Sequence, residues 1–317
     1  MSGPVRDPSA APTVLVTGIA GGLSQRVAER LLAAGQRVVG VDYRPIAALP
    51  PPLDGVPTYR ANYNKTAIED VFRKHAIDAV LHLGRVGNLK EEMGKRFDLN
   101  VLGSQKLMNL CVQHGVKTLV VLSTFHVYGA HPRNHAPISE EDPLHAGTEF
   151  PQLADAIQLD NMASTWVWRF PEVRTVVLRP TNVVGASIHN TITKFLRQRT
   201  VPYVLGFDPM TQFVHEDDLA DAVVAARSGD ARGVFNVPGP AVLPWRTALE
   251  IVGARTLPVP GTVAALVLRA RGFPGYLVNF YKYPCVIGGE ALRSAFGWSP
   301  KVGIHQTLGS IGRPLRA

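Results

Sequence analysis

The first 180 residues alternate short apolar runs with stretches whose apolar positions repeat with a helical period. The runs carry β-branched and aliphatic residues on both faces, as strands do in a parallel sheet that helices cover on both sides. These runs lie at 13–17, 37–41, 79–83, 118–122 and 175–178. Between them, helices are predicted at 23–34, at 66–75 and at about 89–114, the second opened by a capping box of Thr66 and Glu69. Alternation at this spacing predicts an α/β fold with a doubly wound parallel sheet.

After residue 180 the alternation becomes less regular. Helices are predicted at 187–199, 216–227, 245–252, 262–271 and 289–296, with a short strand at 234–237. We therefore expect a disordered tail over residues 1–12, a first domain over 13–180, and a smaller C-terminal α/β cap over 181–317. Part of the cap segment is expected to return to the first domain.

A glycine-rich turn connects the first predicted strand to the first predicted helix. Gly18, Gly21 and Gly22 follow the strand, and the helix begins at Leu23. Glycines permit a tight turn and let backbone N–H groups approach a pyrophosphate at the positive end of the helix. Asp42 follows about 20 residues later, at the end of the second strand, where a carboxylate binds ribose hydroxyls. This combination favours a Rossmann-type dinucleotide site over a purely structural strand–helix turn.

The same carboxylate bears on the choice of cofactor. Asp42 would repel the 2′-phosphate of NADP, so the sequence favours NAD. Arg44, two residues later, works against this preference because a guanidinium attracts phosphate.

Several segments resemble motifs of the extended short-chain dehydrogenase/reductases, the NAD-dependent epimerase/dehydratase family. The turn from Thr17 to Ser24 resembles TGxxGxxG, with Ser24 in place of the third glycine. Segments 80–85 (VLHLGR), 98–103 (DLNVLG), 122–129 (LSTFHVYG), 178–185 (LRPTNVVG) and 213–219 (FVHEDDL) resemble hLAA, NvxGt, SSxxVYG, LRPxNvyG and FvHVdDla. Segment 296–300 (FGWSP) resembles the closing lGwxP, so the matches extend over nearly the whole chain.

The resemblance implies roles for individual residues. It places Asn100 and Thr124 at the family's active-site Asn and Ser/Thr positions. It implies a small-molecule substrate and a homodimer built from helices near 89–114 and 152–170. The implied cofactor-binding residues are Gly18, Gly21, Gly22, Leu23, Asp42, Tyr43, Arg44, Asn62, Leu83, Gly84, Arg85, Asn100, Ser123 and Pro180.

The resemblance ends at the reaction centre. The family carries a YxxxK pair between the VYG and LRP segments, yet residues 130–179 contain neither Tyr nor Lys. The best register puts Ala156 and Asp160 in the two positions. In the family, the phenol exchanges a proton with the substrate and the lysine lowers the phenol pKa, which alanine and aspartate cannot reproduce.

Any activity must therefore use other residues. The candidates for proton transfer are His126, His131, His135, His145, Glu149, Asp155 and Asp160. Asp160 is favoured among the carboxylates, and the other interpretation is that these groups form a polar surface loop and the solvent face of a helix. The sequence thus predicts an atypical oxidoreductase or epimerase/dehydratase that acts on a sugar-nucleotide, sterol-like or other alcohol or ketone substrate. The alternative is a non-catalytic, regulatory protein that binds NAD(H) or a metabolite.

Charge and cysteine content narrow the classes of partner and of compartment. The net charge is +8, and residues 251–317 contain eight Lys and Arg but one acid, Glu290. No basic stripe is interleaved with aromatics, so nucleic acid is not an expected partner. A solvated basic surface or a weak peripheral contact with an anionic membrane fits this charge.

The two cysteines, Cys111 and Cys285, show no metal-ligand spacing, so no metal site is expected. Because so few cysteines are present, a reducing cytoplasm is predicted.

Overall fold

The computed structural model describes residues 11–87 and 91–312. Its strands are β1 (Thr13–Thr17), β2 (Arg37–Asp42), β3 (Thr58–Arg60), β4 (Ala79–His82), β5 (Thr118–Leu122), β6 (Arg174–Pro180), β7 (Asn182–Val184), β8 (Thr200–Val204), β9 (Met210–His215), β10 (Gly233–Val237), β11 (Val242–Pro244) and β12 (Arg255–Val259).

Its α-helices are α1 (Gly22–Ala33), α2 (Ala67–Lys74), α3 (Met93–Phe97), α4 (Gly103–Gln113), α5 (Ala146–Glu149), α6 (Ala154–Arg169), α7 (Thr191–Leu196), α8 (Glu216–Ser228), α9 (Trp245–Ile251), α10 (Ala264–Ala270), α11 (Leu277–Phe280), α12 (Glu290–Phe296) and α13 (Ile304–Gly309). A π-helical turn, Asp98–Leu102, joins α3 to α4, and short 3₁₀ turns occur at Phe125–Tyr128 and Pro151–Leu153.

The described chain forms two compact units. The first unit contains the residues up to 123, together with 155–178 and 220–235. The second unit contains 124–154, 179–219 and the residues from 236 onward. β6 and β10 each begin in the first unit and end in the second.

A seven-stranded sheet in the order β10-β6-β5-β4-β1-β2-β3 organises the first unit. The pairs from β6 through to β3 are all parallel. The strands are apolar on both faces because both faces are buried, and their side chains pack with those of α2, α4 and α6 into one core. The doubly wound α/β fold predicted from the sequence is confirmed.

The registers of the strands align their carboxyl ends. Thr17 at the end of β1 pairs with His82 at the end of β4, which in turn pairs with Val121 of β5. The residues that follow these strands therefore leave the sheet at one edge. In open α/β sheets, ligands bind outside the carboxyl ends of the strands.

The second unit has a separate core. A three-stranded sheet, β11-β9-β7, and a two-stranded parallel sheet of β8 and β12 contribute to it. Its centre is aromatic: the rings of Phe195, Trp245 and Tyr281 stack, with centroids 4.8 to 6.2 Å apart. Tyr281 brings the C-terminal region into this core.

Some predicted boundaries are wrong for local reasons. Thr66 is already helical and its side chain makes no cap hydrogen bond, so the predicted capping box does not form. The helix predicted at 187–199 begins only at Thr191, because the side chain of Asn190 accepts a hydrogen bond from Thr193 N–H and caps the helix there. The predicted start at Leu89 lies outside the described residues. Among those described, no helix is long and apolar enough to span a bilayer.

Candidate functional site

The glycine turn after β1 lies against the chain that leaves β4. Gly18 has a positive φ of 75°, and a Cβ on it would lie 2.6 Å from the Cα of Gly84. A Cβ on Gly84 would lie 2.6 Å from the nitrogen of Gly18 and even closer to the hydroxyl of Tyr63. Tyr63 is buried, and its hydroxyl accepts a hydrogen bond of 3.2 Å from Gly18 N–H. Because no side chain fits between these segments, both positions require glycine.

The N-terminus of α1 is suited to an anion. Gly21 is the N-cap residue and provides no side-chain cap, and the first turn, which begins with Gly22 and Leu23, carries no acidic residue. The first N–H groups of a helix have no partner inside the helix and carry partial positive charge. A pyrophosphate would find N–H donors here, next to a turn that side chains cannot enter. The residues present therefore fit a dinucleotide.

Asp42 already has a partner within the chain. It ends β2, is fully buried, and accepts a hydrogen bond of 3.1 Å from Ala20 N–H. Arg44 donates to its two oxygens from the backbone nitrogen at 2.9 Å, from Nε at 3.1 Å and from Nη2 at 2.9 Å. The hydrogen bond to Asp42 raises the pKa of Arg44. Burial raises the pKa of the adjacent Tyr43 hydroxyl. The predicted ribose acid is therefore paired with a cation in the same chain.

A buried chain of hydrogen bonds holds the two glycine segments and the Asn100 helix together. Thr17 Oγ1 accepts from the N–H groups of Leu83 and Gly84 at 3.1 and 3.0 Å, so its own proton is directed to His82 Nδ1 at 2.9 Å. His82 Nε2 then donates to Ser104 Oγ at 2.7 Å, and Ser104 donates to the carbonyl oxygen of Asn100. Burial lowers the pKa of His82 to about 4, which keeps the ring neutral. His82 is thus a structural residue.

Asn100 lies in the π-helical turn, a type of distortion that often occurs at functional sites. Its Oδ1 accepts from Val86 N–H at 2.7 Å, and its Nδ2 donates to Val86 O and to Asp155 at 3.0 and 2.6 Å. Asp155 also forms a buried ion pair with Arg96. The amide therefore connects the loop after β4 to the first turn of α6.

A family profile matches the region that carries these features. Residues 14–237 match the NAD dependent epimerase/dehydratase family. The chain belongs to this family. Its membership confirms the family predicted from the motifs and NAD as the cofactor.

Similar proteins agree with this assignment. A UDP-glucose 4-epimerase of Azospirillum brasilense is 28% identical over 338 residues, which cover 96% of this chain and 91% of that protein. An uncharacterised protein of Mycobacterium tuberculosis is 28% identical over 260 residues, covering 78% of this chain and 68% of that protein. The structure of a Thermus thermophilus UDP-glucose 4-epimerase in complex with NAD has a TM-score of 0.74 and 24% identity, covering 94% and 97% of the two chains. At this identity, the structure supports the fold.

In this member of the family, the helix that follows the VYG segment carries buried acids. Asp155 and Asp160 lie in α6 with 1% and 0% of their surfaces exposed, so the interpretation that they form its solvent face is wrong. Asp160 accepts a hydrogen bond of 2.5 Å from the hydroxyl of Ser123, the residue that follows β5. Both acids thus contact residues predicted to bind the cofactor, Asp155 through Asn100 and Asp160 through Ser123, which leaves the sheet at its carboxyl edge.

Thr124 follows Ser123 directly and opens the second unit. Its hydroxyl lies 2.9 Å from Nδ1 of His126, whose ring is half-buried against Phe125 and Phe280. The backbone N–H of His126 also reaches the same hydroxyl, at 3.4 Å. Thr124 and His126 thus form a hydroxyl–imidazole pair.

The other histidines of this region are placed differently. His131 stacks on His145, with ring centroids 5.1 Å apart, and lies 3.4 Å from Glu149. His135 is largely exposed and pairs with Asp142 at 2.8 Å. Within the described ranges, no cluster of His, Cys, Asp or Glu could hold a metal ion.

The remaining predicted cofactor residues occupy several positions. Asn62 follows β3, and its side chain accepts a hydrogen bond from Asn64 N–H at 2.9 Å. Arg85 is half-buried in the loop after Gly84, and Pro180 is buried at the end of β6, in the part that belongs to the second unit.

Sequence reasoning missed Tyr63 and Arg96. Arg96 could have been found from its spacing, because it lies four residues before Asn100 on the same helical stretch. Tyr63 has no such local signal, because its role depends on a contact with Gly18, 45 residues away.

Proposed function

We propose that this protein is an NAD-dependent enzyme that oxidises or epimerises a hydroxyl-bearing carbon of a nucleotide sugar, without a Tyr–Lys pair. The observation that carries the proposal is the Thr124–His126 pair, in a chain that keeps an intact dinucleotide turn. The names of relatives, UDP-glucose 4-epimerases among them, support a nucleotide sugar as the first substrate class to test. Sterol-like and other alcohols or ketones remain in the substrate panel.

The first unit would hold the cofactor. The turn at Gly18 and the start of α1 would bind the pyrophosphate, and Asp42 or Arg44 the adenosine ribose. Gly84 and Ser123 would lie beside the nicotinamide half, since they leave the same sheet edge. NAD supplies a hydride acceptor when it is bound.

The Thr124–His126 pair would handle the proton of the substrate hydroxyl. In the tautomer of His126 whose Nδ1 carries no proton, the Thr124 hydroxyl donates to Nδ1 and accepts the backbone N–H of His126. A substrate hydroxyl that donates to Thr124 would lose its proton to Oγ1 as the threonine proton moves to Nδ1. Imidazole takes and returns a proton near neutral pH, which a threonine alone cannot do. This assigns to His126 the task that the phenol has in the rest of the family.

Asp160 is the second candidate for this task. It is fully buried, so it would act on a substrate through the hydroxyl of Ser123. A carboxylate that accepts this hydroxyl would make Ser123 Oγ a better acceptor for a substrate proton. The two pairs use different residues and can be tested separately.

The test uses the full chain loaded with NAD. UDP-glucose, UDP-galactose and a panel of alcohols are followed by NMR for conversion and at the NADH absorbance for redox. We expect His126→Asn and Thr124→Ala to lower kcat by about 10²–10⁴-fold with little change in NADH affinity. Asp160→Asn distinguishes the pairs: a matching loss there, with full activity in His126→Asn, would assign the proton to Ser123 and Asp160 instead.

A chain that binds NADH but converts no member of the panel would contradict the enzymatic proposal. This outcome would favour the alternative, a regulatory protein that binds NAD(H) or a metabolite without turnover.

We also infer a homodimer formed through helices of the first unit. Large apolar side chains are exposed along the helical stretch from α3 to α4, at Met93, Phe97 and Leu102. Trp168 on α6 is 78% exposed. Analytical ultracentrifugation of wild type and Trp168→Glu tests this inference, which a monomeric wild type would refute.

A reducing compartment such as the cytoplasm remains a prediction, which the free, buried Cys111 and Cys285 support.

A further inference from the structure

Four large apolar side chains are exposed near the ends of β8 and β12 in the second unit. Leu205 and Phe207 follow β8 and are 56% and 37% exposed, and Val263 and Leu266 at the start of α10 are 43% and 68% exposed. A backbone hydrogen bond of 2.9 Å from Leu205 N–H to Val259 O joins the ends of the two strands. A turn with a bond of 3.1 Å from Val263 N–H to Pro260 O then leads from β12 into α10. We call these four residues the α10 patch.

One face of α10 packs into the core of the second unit, and the opposite face is exposed. Ala264 and Leu268 face inward, at 4% and 3% exposure, and belong to the core of the second unit. Val263, Leu266 and Ala270 follow at helical spacings of three and four, which puts them together on the opposite face. Leu266 thus keeps most of its surface outside a core that is already packed.

The α10 patch has cations beside it. The ammonium group of Lys282 lies 5.6 Å from the centre of the Phe207 ring, and Arg269 is exposed on α10 itself. Residues 251–289 contain four Lys and Arg and no acidic residue. Next to Phe207, Asp208 pairs with Arg246 at 3.3 Å, so its charge is offset.

We propose that the α10 patch docks on the surface of an anionic lipid bilayer. Its apolar side chains would enter the boundary between headgroups and acyl chains, while Lys282 and Arg269 contact lipid phosphates. Apolar side chains flanked by cations match the two attractions that hold a peripheral protein on such a membrane. The centres of protein interfaces, by contrast, are depleted of lysine, so the lysine beside Phe207 favours lipid over a protein partner. The proposal does not depend on the proposed function, which uses other residues.

Co-sedimentation of the full chain with vesicles tests the proposal. One set is phosphatidylcholine alone, and the other is an equal mixture of phosphatidylcholine and phosphatidylglycerol. We expect binding to the mixed vesicles at low salt, at least about tenfold stronger than to phosphatidylcholine, and weaker binding as salt screens the charges.

Variants locate the contact. Val263→Ser with Leu266→Ser should weaken binding by about tenfold or more, and Lys282→Gln by about fivefold, the effect of one basic residue at an anionic surface. Val242→Ser is the matched control, since it removes an apolar side chain that is 42% exposed, like Val263, but lies outside the α10 patch. Circular dichroism verifies that each variant is folded.

Three outcomes would overturn the proposal. They are no binding to the mixed vesicles at low salt, an equal loss in Val242→Ser, and unchanged binding in the α10 double variant. A change in sedimentation coefficient of the double variant without vesicles would instead identify the α10 patch as a contact between copies of the chain.

Discussion

Replacing Gly84 by alanine tests the close approach that forms the cofactor turn. The added methyl carbon would lie 2.6 Å from the nitrogen of Gly18 and closer still to the hydroxyl of Tyr63. Neither neighbour is the free end of a flexible chain, because Gly18 is backbone and Tyr63 is fully buried. The segment after β4 and the glycine turn must therefore separate.

The magnitude follows from the cost of overpacking, which is about 1–3 kcal/mol for an added methylene-sized group in a packed site. If that strain is placed on the turn, NADH affinity should fall by about 5–150-fold, since 1.4 kcal/mol corresponds to tenfold. NADH fluorescence titration measures the affinity, and urea unfolding measures the strain in the chain without cofactor.

Gly87→Ala is the matched control. Gly87 lies in the same loop, and a Cβ on it would meet nothing within 4 Å. We expect the control to bind NADH like wild type. In the variant Tyr63→Phe with Gly84→Ala, removal of the hydroxyl should recover part of the stability lost in Gly84→Ala. NADH affinity and unfolding free energy of Gly84→Ala within experimental error of wild type would refute the reasoning.

Three further predictions concern the same unit. Burial lowers the pKa of His82 to about 4 from 6.5, so the unfolded chain takes up the proton first as pH falls. Neutral His82 therefore adds about 3 kcal/mol to the free energy of unfolding above pH 6.5, and this contribution is lost between pH 6.5 and 4. His82→Gln should make the urea-unfolding free energy depend less steeply on pH over this interval, and an equally steep dependence would contradict this. Asp155→Leu should cost about 3–5 kcal/mol in urea unfolding because it leaves the Arg96 charge buried. The double variant with Arg96→Met should recover most of this loss, and additive losses would show that the two charges do not stabilise each other. Arg44→Leu should weaken NADPH binding by about tenfold relative to NADH, because it removes a cation from the ribose acid; an unchanged ratio in fluorescence titrations would show that the guanidinium does not reach the 2′-phosphate.

Local sequence patterns determined much of the cofactor unit. The hydrophobic pattern of consecutive residues was enough to locate several elements of this unit, namely β1, β2, β4, β5 and α1. Gly18 and Asp42 were found for the same reason, since a turn and a strand end are features of a few neighbouring residues. The absence of Tyr and Lys from residues 130–179 was also fixed at this level, and no folding can restore them.

Tertiary structure alone decided which polar groups meet. Tyr63 contacts Gly18 across 45 residues, and Asp160 contacts Ser123 across 37. The sequence left open whether α6 turns its carboxylates to solvent, because aspartate in a helix is exposed unless a specific partner compensates its burial. Arg96, Asn100 and Ser123 are those partners, and the parallel sheet and the packing of α6 bring them to the acids. The choice of cofactor could therefore be predicted from adjacent residues, whereas the replacement for the Tyr–Lys pair depends on contacts between residues far apart in the chain.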